Sequence, residues 1–67
     1  MSQANPVEVE RYLKGINYPA QKNELVKHAR QQGAEQEVLE TINHLPNNQT
    51  FQSPIEVNQA IGAIKRQ

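Results

Sequence analysis

The spacing of apolar residues along the chain predicts four short helices and no strands. The first helix carries apolar residues at i, i+3, i+4 and i+7, a spacing that puts side chains on one helix face: Val9, Tyr12, Leu13 and Ile16. The same pattern recurs over residues 22–32, over residues 34–44 and after Ser53. We therefore expect an all-α fold, a small bundle of four short helices, with a core built around Leu13, Leu25, Val26, Leu39, Ile42 and Ile61.

Two of the helix starts share one pattern. Residues 5–9 and 53–57 each contain a capping residue (Asn or Ser), then proline, an aliphatic residue, glutamate and valine. The capping side chain, proline at the first position and glutamate at the third are typical of a helix start. Two interpretations stay open: two helices that use the same effective start, or a pseudo-symmetric pair flanking the second and third helices.

Glycine and proline mark where the helices end. Gly15 and Gly33 end the first two, because glycine adopts the left-handed conformation easily, and Pro46 closes the third. Residues 17–20 form a turn, and Phe51, the aromatic residue of the polar loop that follows Pro46, is expected to plug the core.

The chain is short and electrically balanced. Its 67 residues form one domain, with residues 1–4 and 65–67 expected to be frayed. Without cysteine there is neither a disulfide nor a thiolate metal site. Seven basic and seven acidic residues cancel, which makes nucleic-acid binding less expected. No apolar run has the length of a membrane span, so we expect a cytoplasmic protein.

The order of the charges is more informative than their sum. Residues 31–64 contain glutamate but no lysine or arginine, whereas the first two helices offer a basic surface made of Arg11, Lys14, Lys22, Lys27 and Arg30. That surface is a candidate for binding a partner or nucleic acid. The alternative is an ordinary set of solvated charges that pair within the fold.

The second and third helices, joined by a turn at Gly33, resemble a helix-turn-helix motif. The standard docking would bring Glu35, Glu37 and Glu40 towards phosphates, and that contact is repulsive. We reject this docking. Nucleic-acid contacts would instead use Lys14, Lys22, Lys27 and Arg30.

Residues that carry catalysis or hold metals are scarce. Neither His28 nor His44 has a second ligand at i+3 or i+4, as a helical zinc site requires, and both are expected at the surface or its boundary. The chain has no aspartate and no glycine-rich phosphate loop, and Ser53 already serves as a cap. We expect no enzyme activity, no metal or other cofactor and no small-molecule substrate.

An ordered set of motifs resembles the bacterial family catalogued as domain of unknown function 2795. The motifs are Tyr12-Leu13-Lys14-Gly15, Tyr18-Pro19-Ala20, Lys22, Leu25, Gly33-Ala34, Val38-Leu39, Leu45-Pro46, Phe51, Ser53-Pro54, Val57 and Ile61-Gly62. The resemblance implies a small helical bacterial domain and no particular function. Gln21 departs from the threonine or serine frequent in the family, which predicts a weaker start for the second helix.

These observations favour a non-catalytic interaction or regulatory module that binds an unknown protein or a second copy of itself. Val7 and Ile55 lie off the inward faces of their helices and are candidates for an apolar docking patch. The alternative function is weak nucleic-acid binding through the basic surface of the first two helices.

Overall fold

The computed structural model describes residues 5–65, and the helices and strands of this part follow in chain order. They are α1 (Pro6–Leu13), β1 (Ala20–Gln21), α2 (Lys22–Gln31), α3 (Gln36–Asn43), β2 (Thr50–Phe51) and α4 (Pro54–Lys65). The prediction of a mostly helical domain is confirmed. The expected frayed ends lie outside the described residues, except for Lys65, which ends α4.

The prediction of no strands is wrong. β1 and β2 form an antiparallel pair in which Ala20 lies opposite Phe51 and Gln21 opposite Thr50. In each strand one residue is buried and the other exposed, so the pair brings Ala20 and Phe51 into the core together. A strand of two residues is too short to show an alternating pattern in the sequence, and therefore these segments were predicted as a turn and a loop.

The N-terminal ends of the helices are held largely by the predicted residues. The Asn5 side-chain oxygen accepts a hydrogen bond from the Glu8 amide at 2.9 Å, as a capping residue should. At α4 the Glu56 carboxylate accepts from the Gln52 amide at 2.8 Å, one residue before the predicted cap Ser53. The two glycines predicted to end α1 and α2, Gly15 and Gly33, have φ values of 89° and 84°.

The core lies where α1, α2, α3 and α4 meet, with α2 packed most extensively on α3. Phe51 is fully buried, which confirms that it plugs the core. The buried apolar side chains are Val9, Leu13, Ala20, Leu25, Ala29, Val38, Ile42, Leu45, Phe51, Val57 and Ile61. Among the described residues, none of the helices combines the length and the apolarity needed to cross a bilayer.

Two of the six predicted core residues are misplaced. Val26 and Leu39 are half-buried at the edge of the α2–α3 interface. The inward face of α3 includes Thr41 instead, although its side chain is polar. The Thr41 hydroxyl donates to the Glu37 carbonyl at 2.9 Å, so this polar group is satisfied within the helix and can be buried.

Candidate interaction surface

An open groove lined by described residues runs along α1, and we call it the α1 groove. Its volume is about 610 Å³. Its lining residues are Val7, Glu10, Arg11, Leu13, Lys14, Gly15, Ile16, Tyr18 and Pro54. It therefore contains three of the predicted candidate residues, Val7, Arg11 and Lys14, together with residues that the sequence did not single out.

Val7 and Ile55 are the two large apolar side chains that the described structure leaves most exposed. Their exposed fractions are 68% and 66%, although Val9 and Val57, two residues further along each helix, are buried. Val7 lines the α1 groove, and Ile55 follows the groove residue Pro54 directly in the chain. Their predicted positions off the inward helix faces are confirmed.

A side-chain hydrogen bond joins α1 to α4 beside this groove. The Asn58 amide Nδ2 donates to the Glu10 carboxylate, whereas the Asn58 Oδ1 atom is buried and has no hydrogen-bond partner among the described residues. Burial, and to a lesser degree the negative charge of Glu10, raise the pKa of Tyr18 above its ordinary value. The groove thus combines one engaged carboxylate with a phenol that stays protonated at neutral pH.

Arg11 and Lys14 supply the positive charge of the α1 groove. Both are exposed, and within the described part of the chain neither side chain makes a hydrogen bond or an ion pair. Arg11 lies in the last turn of α1, and Lys14 is the residue that follows the helix. They remain available to an acidic group that enters the groove.

Lys22 plays a structural part that the sequence did not reveal. Its ammonium group donates to the Asn43 carbonyl at 3.2 Å, and Asn43 is the last residue of α3. A cation at a helix C-terminus satisfies a free carbonyl and interacts favourably with the helix dipole. Lys22 is also half-buried, so it is a poor candidate for contact with a partner.

Lys27 and Arg30 are exposed but lie in two other depressions. Lys27 lines one together with residues 15–17, of which Gly15 and Ile16 also line the α1 groove. Arg30 lines another over α3, together with Leu39 and Glu40. The five predicted basic residues are therefore distributed over different surfaces. Of these five, the structure brings Arg11 and Lys14 together in one groove.

Both histidines donate hydrogen bonds to backbone carbonyls. His28 Nε2 lies 3.0 Å from the Lys14 carbonyl oxygen, and His44 Nδ1 lies 2.8 Å from the Glu40 carbonyl oxygen. Because a carbonyl can only accept, these ring nitrogens carry protons. The described residues include no group of three potential metal-ligating side chains. His28 is half-buried and His44 exposed, as predicted.

The sequence comparison decides the family. A model described as "Protein of unknown function (DUF2795)" matches residues 4–58, which is most of the chain. The chain belongs to the DUF2795 family. The resemblance deduced from the motifs is thereby confirmed. No curated protein and no solved structure matches this DUF2795 protein significantly.

The residues of this surface that were not identified as site residues in the sequence include Tyr18, Pro54 and Asn58, which lie outside α1 and the turn that follows it. Tyr18 and Pro54 reach the α1 groove through the fold, because β1 and β2 bring the segments around them together. Asn58 could have been found from the shared helix starts, since it follows Pro54 by four residues, as Glu10 follows Pro6.

Proposed function

We propose that this DUF2795 protein is a non-catalytic interaction module that binds another protein through the surface formed by Val7, Ile55 and the α1 groove. The observation that carries the proposal is the exposure of Val7 and Ile55, at 68% and 66%. Exposed apolar side chains next to a groove are typical of interaction sites.

The equivalence of the two positions strengthens this argument. Val7 and Ile55 occupy the second residue of α1 and of α4, and both helices otherwise turn their aliphatic residues Val9 and Val57 inward. Single exposed apolar residues are common on protein surfaces. Two such residues at matched positions, one lining the groove and one directly after a lining residue in the chain, favour a shared binding role.

The test is affinity capture of the tagged chain from a lysate of its source organism. The bait is compared with the double variant Val7→Ser, Ile55→Ser, which removes the apolar side chains from positions where they stabilise the fold little. The matched control is Asn48→Ser, in an exposed loop outside the groove. Captured proteins are identified by mass spectrometry.

We expect at least one protein to be recovered in comparable amounts with the unchanged chain and with Asn48→Ser, and to be lost with the double variant. Equal recovery with all three baits would contradict the proposal. Circular dichroism of each bait must show the same helical spectrum, so that loss of binding is not caused by unfolding.

The alternative proposal is weak nucleic-acid binding. It is supported by Arg11, Lys14, Lys27 and Arg30, whose side chains are exposed and form no ion pair within residues 5–65. It is weakened by their distribution over separate depressions and by the use of Lys22 within the fold. Binding of this kind would rest on few phosphate contacts and would fall steeply with salt.

A gel shift with random duplex DNA at low salt tests this alternative. If a shift appears, Lys27→Glu should change the fraction of shifted DNA more than Glu37→Lys does, because this alternative assumes that α3 does not contact the phosphates. The reverse order would restore the helix-turn-helix docking with α3 in the groove. No shift at low salt would leave protein binding as the proposal.

We extend the proposal to a bacterial cytoplasmic setting. The bacterial origin is what the family resemblance implies. The chain contains no cysteine, so its fold does not depend on an oxidising compartment. Localisation of a tagged chain by cell fractionation tests this part separately.

A further inference from the structure

We propose that the α1 groove takes an acidic segment of another protein, one that carries an apolar side chain between its carboxylates. The proposal rests on the proposed protein-binding function and specifies the chemistry of the partner. Its basis is the combination of apolar wall and unpaired positive charge in a single groove.

The apolar part of the groove comes from three places in the chain. Val7 stands exposed near the start of α1, half-buried Ile16 follows its C-terminal end, and Pro54 opens α4. An aliphatic or aromatic side chain inserted between them would cover surface that the fold leaves in water. Covering such surface favours binding, because it removes apolar area from water.

The charge of the groove selects an acidic partner. Arg11 and Lys14 are exposed and form no ion pair with the residues that the structure describes, and the lining contains one carboxylate, that of Glu10, which accepts a hydrogen bond from Asn58. Two cations and one carboxylate give the lining a net positive charge, which favours incoming carboxylates. The Tyr18 hydroxyl adds a neutral hydrogen-bonding group.

A second copy of the chain fits this groove less well. The acidic element of the chain is α3, with exposed Glu37, but Val38 and Ile42 of that helix are buried in its own core. A folded second copy therefore presents the carboxylates without most of the apolar side chains between them. Nucleic acid fits less well too, because two cations beside a carboxylate form a short and interrupted track for phosphates.

The experiment is a titration followed by NMR of the ¹⁵N-labelled full chain. Three synthetic peptides with blocked ends serve as probes. The first alternates glutamate pairs with leucine, the second replaces every glutamate with lysine, and the third replaces every leucine with serine. We expect the first peptide to bind best, and the amides of Val7, Arg11, Lys14 and Ile16 to shift most.

Matched variants test the role of the cations. Arg11→Gln with Lys14→Gln should weaken binding of the first peptide by about two- to thirtyfold, the range expected for losing two exposed charge pairs. Arg30→Gln, which removes an exposed cation from a depression that shares no lining residue with the α1 groove, should leave the affinity unchanged. Both substitutions lie on the surface, and the spectra of the free variants report whether the fold is retained.

Several results would overturn the proposal. They are equal binding of the glutamate and lysine peptides, no binding of the first peptide, largest shifts outside the groove, or an equal loss of affinity with Arg30→Gln. Concentration-dependent shifts of the groove amides without peptide would identify a second copy as the occupant. Stronger shifts with an oligonucleotide would identify nucleic acid. The proposed function is tested by a different result: it is contradicted when affinity capture does not depend on Val7 and Ile55.

Discussion

Asn58 donates a hydrogen bond to Glu10 across the α1–α4 contact, and each of the two residues lies four positions after the proline that opens its helix. The similarity of the two helix starts therefore extends to the tertiary structure, because equivalent positions of α1 and α4 are in contact. α1 and α4 are in direct contact and do more than flank α2 and α3. Only the nitrogen of the Asn58 side-chain amide is satisfied by this bond, since the buried Oδ1 atom has no partner among the described residues.

Asn58→Leu should therefore stabilise the domain. Leucine has a similar size, favours the helix and removes an unsatisfied buried acceptor, whereas the exposed Glu10 carboxylate can regain water. We expect a gain of about 1 kcal/mol, or about 4–8 °C in the thermal midpoint. Asn58→Asp is the control and should lower the midpoint, because it puts a second carboxylate beside Glu10. A lower midpoint for Asn58→Leu would show that the hydrogen bond outweighs the orphaned oxygen.

The raised pKa of Tyr18 predicts a loss of stability at alkaline pH. Because the folded chain holds the phenolic proton more tightly than the unfolded chain, the stabilisation is fully present below the unfolded pKa of about 10 and is lost as the pH rises through the folded pKa. Thermal melts above pH ~9 should show this decline, and Tyr18→Phe should reduce it. Spectroscopic titration of a Tyr12→Phe chain isolates Tyr18. A titration midpoint of the Tyr18 phenol at or below that of free tyrosine would contradict the burial of this side chain.

The corrected core makes a second pair of variants informative. Leu25 is fully buried, and Leu25→Ala should cost about 2–5 kcal/mol, close to the whole stability of a domain this small. Leu39 is half-buried, so Leu39→Ala should cost clearly less and leave a cooperative melt. Circular dichroism of both variants distinguishes them. If Leu39→Ala unfolded the chain and Leu25→Ala did not, α3 would have to be rotated relative to this structure.

Gln21 marks the start of α2, and a better cap should stabilise it. The helix begins at Lys22, and both halves of a capping box are present: the Glu24 carboxylate accepts a hydrogen bond from the Gln21 amide at 2.9 Å, and the Gln21 side chain faces the Glu24 amide without forming a well-aligned hydrogen bond. The Gln21 side-chain amide reaches towards Thr50 of β2. Gln21→Thr would place a hydroxyl near the third-position amide, a change worth about 0.5–2 kcal/mol. We expect a midpoint several degrees higher, with Gln21→Ala close to the original chain. No gain from threonine would show that glutamine already caps this helix adequately.

The sequence predicted the helices because their signals are local. The apolar spacing, the Asn5 cap and the two terminal glycines each act within a few residues, and the structure contains them as predicted. The strand pair was missed because it depends on a contact between Gln21 and Thr50, which are far apart in the chain. The burial of Leu39 was overestimated because the apolar periodicity predicts which face of a helix turns inward, but it does not predict where the packed interface ends.

The candidate site was predictable in part for the same reason. The exposure of Val7 and Ile55 followed from their helical positions, which depend on local spacing alone. The separation of Arg11 and Lys14 from the other basic residues depends on how α1 and α2 pack, and the charge order along the chain does not contain that information. The bond from Lys22 to the Asn43 carbonyl likewise requires the α2–α3 contact.

The central claim, that Val7 and Ile55 mark a protein-binding surface, is tested most directly by photo-crosslinking in the source organism. A photoreactive phenylalanine analogue is placed at position 7, at position 55, or at Gln32, an exposed residue at the end of α2. We predict adducts of the same partner at positions 7 and 55 and none at Gln32. Adducts of equal yield at all three positions, or at Gln32 alone, would contradict the claim.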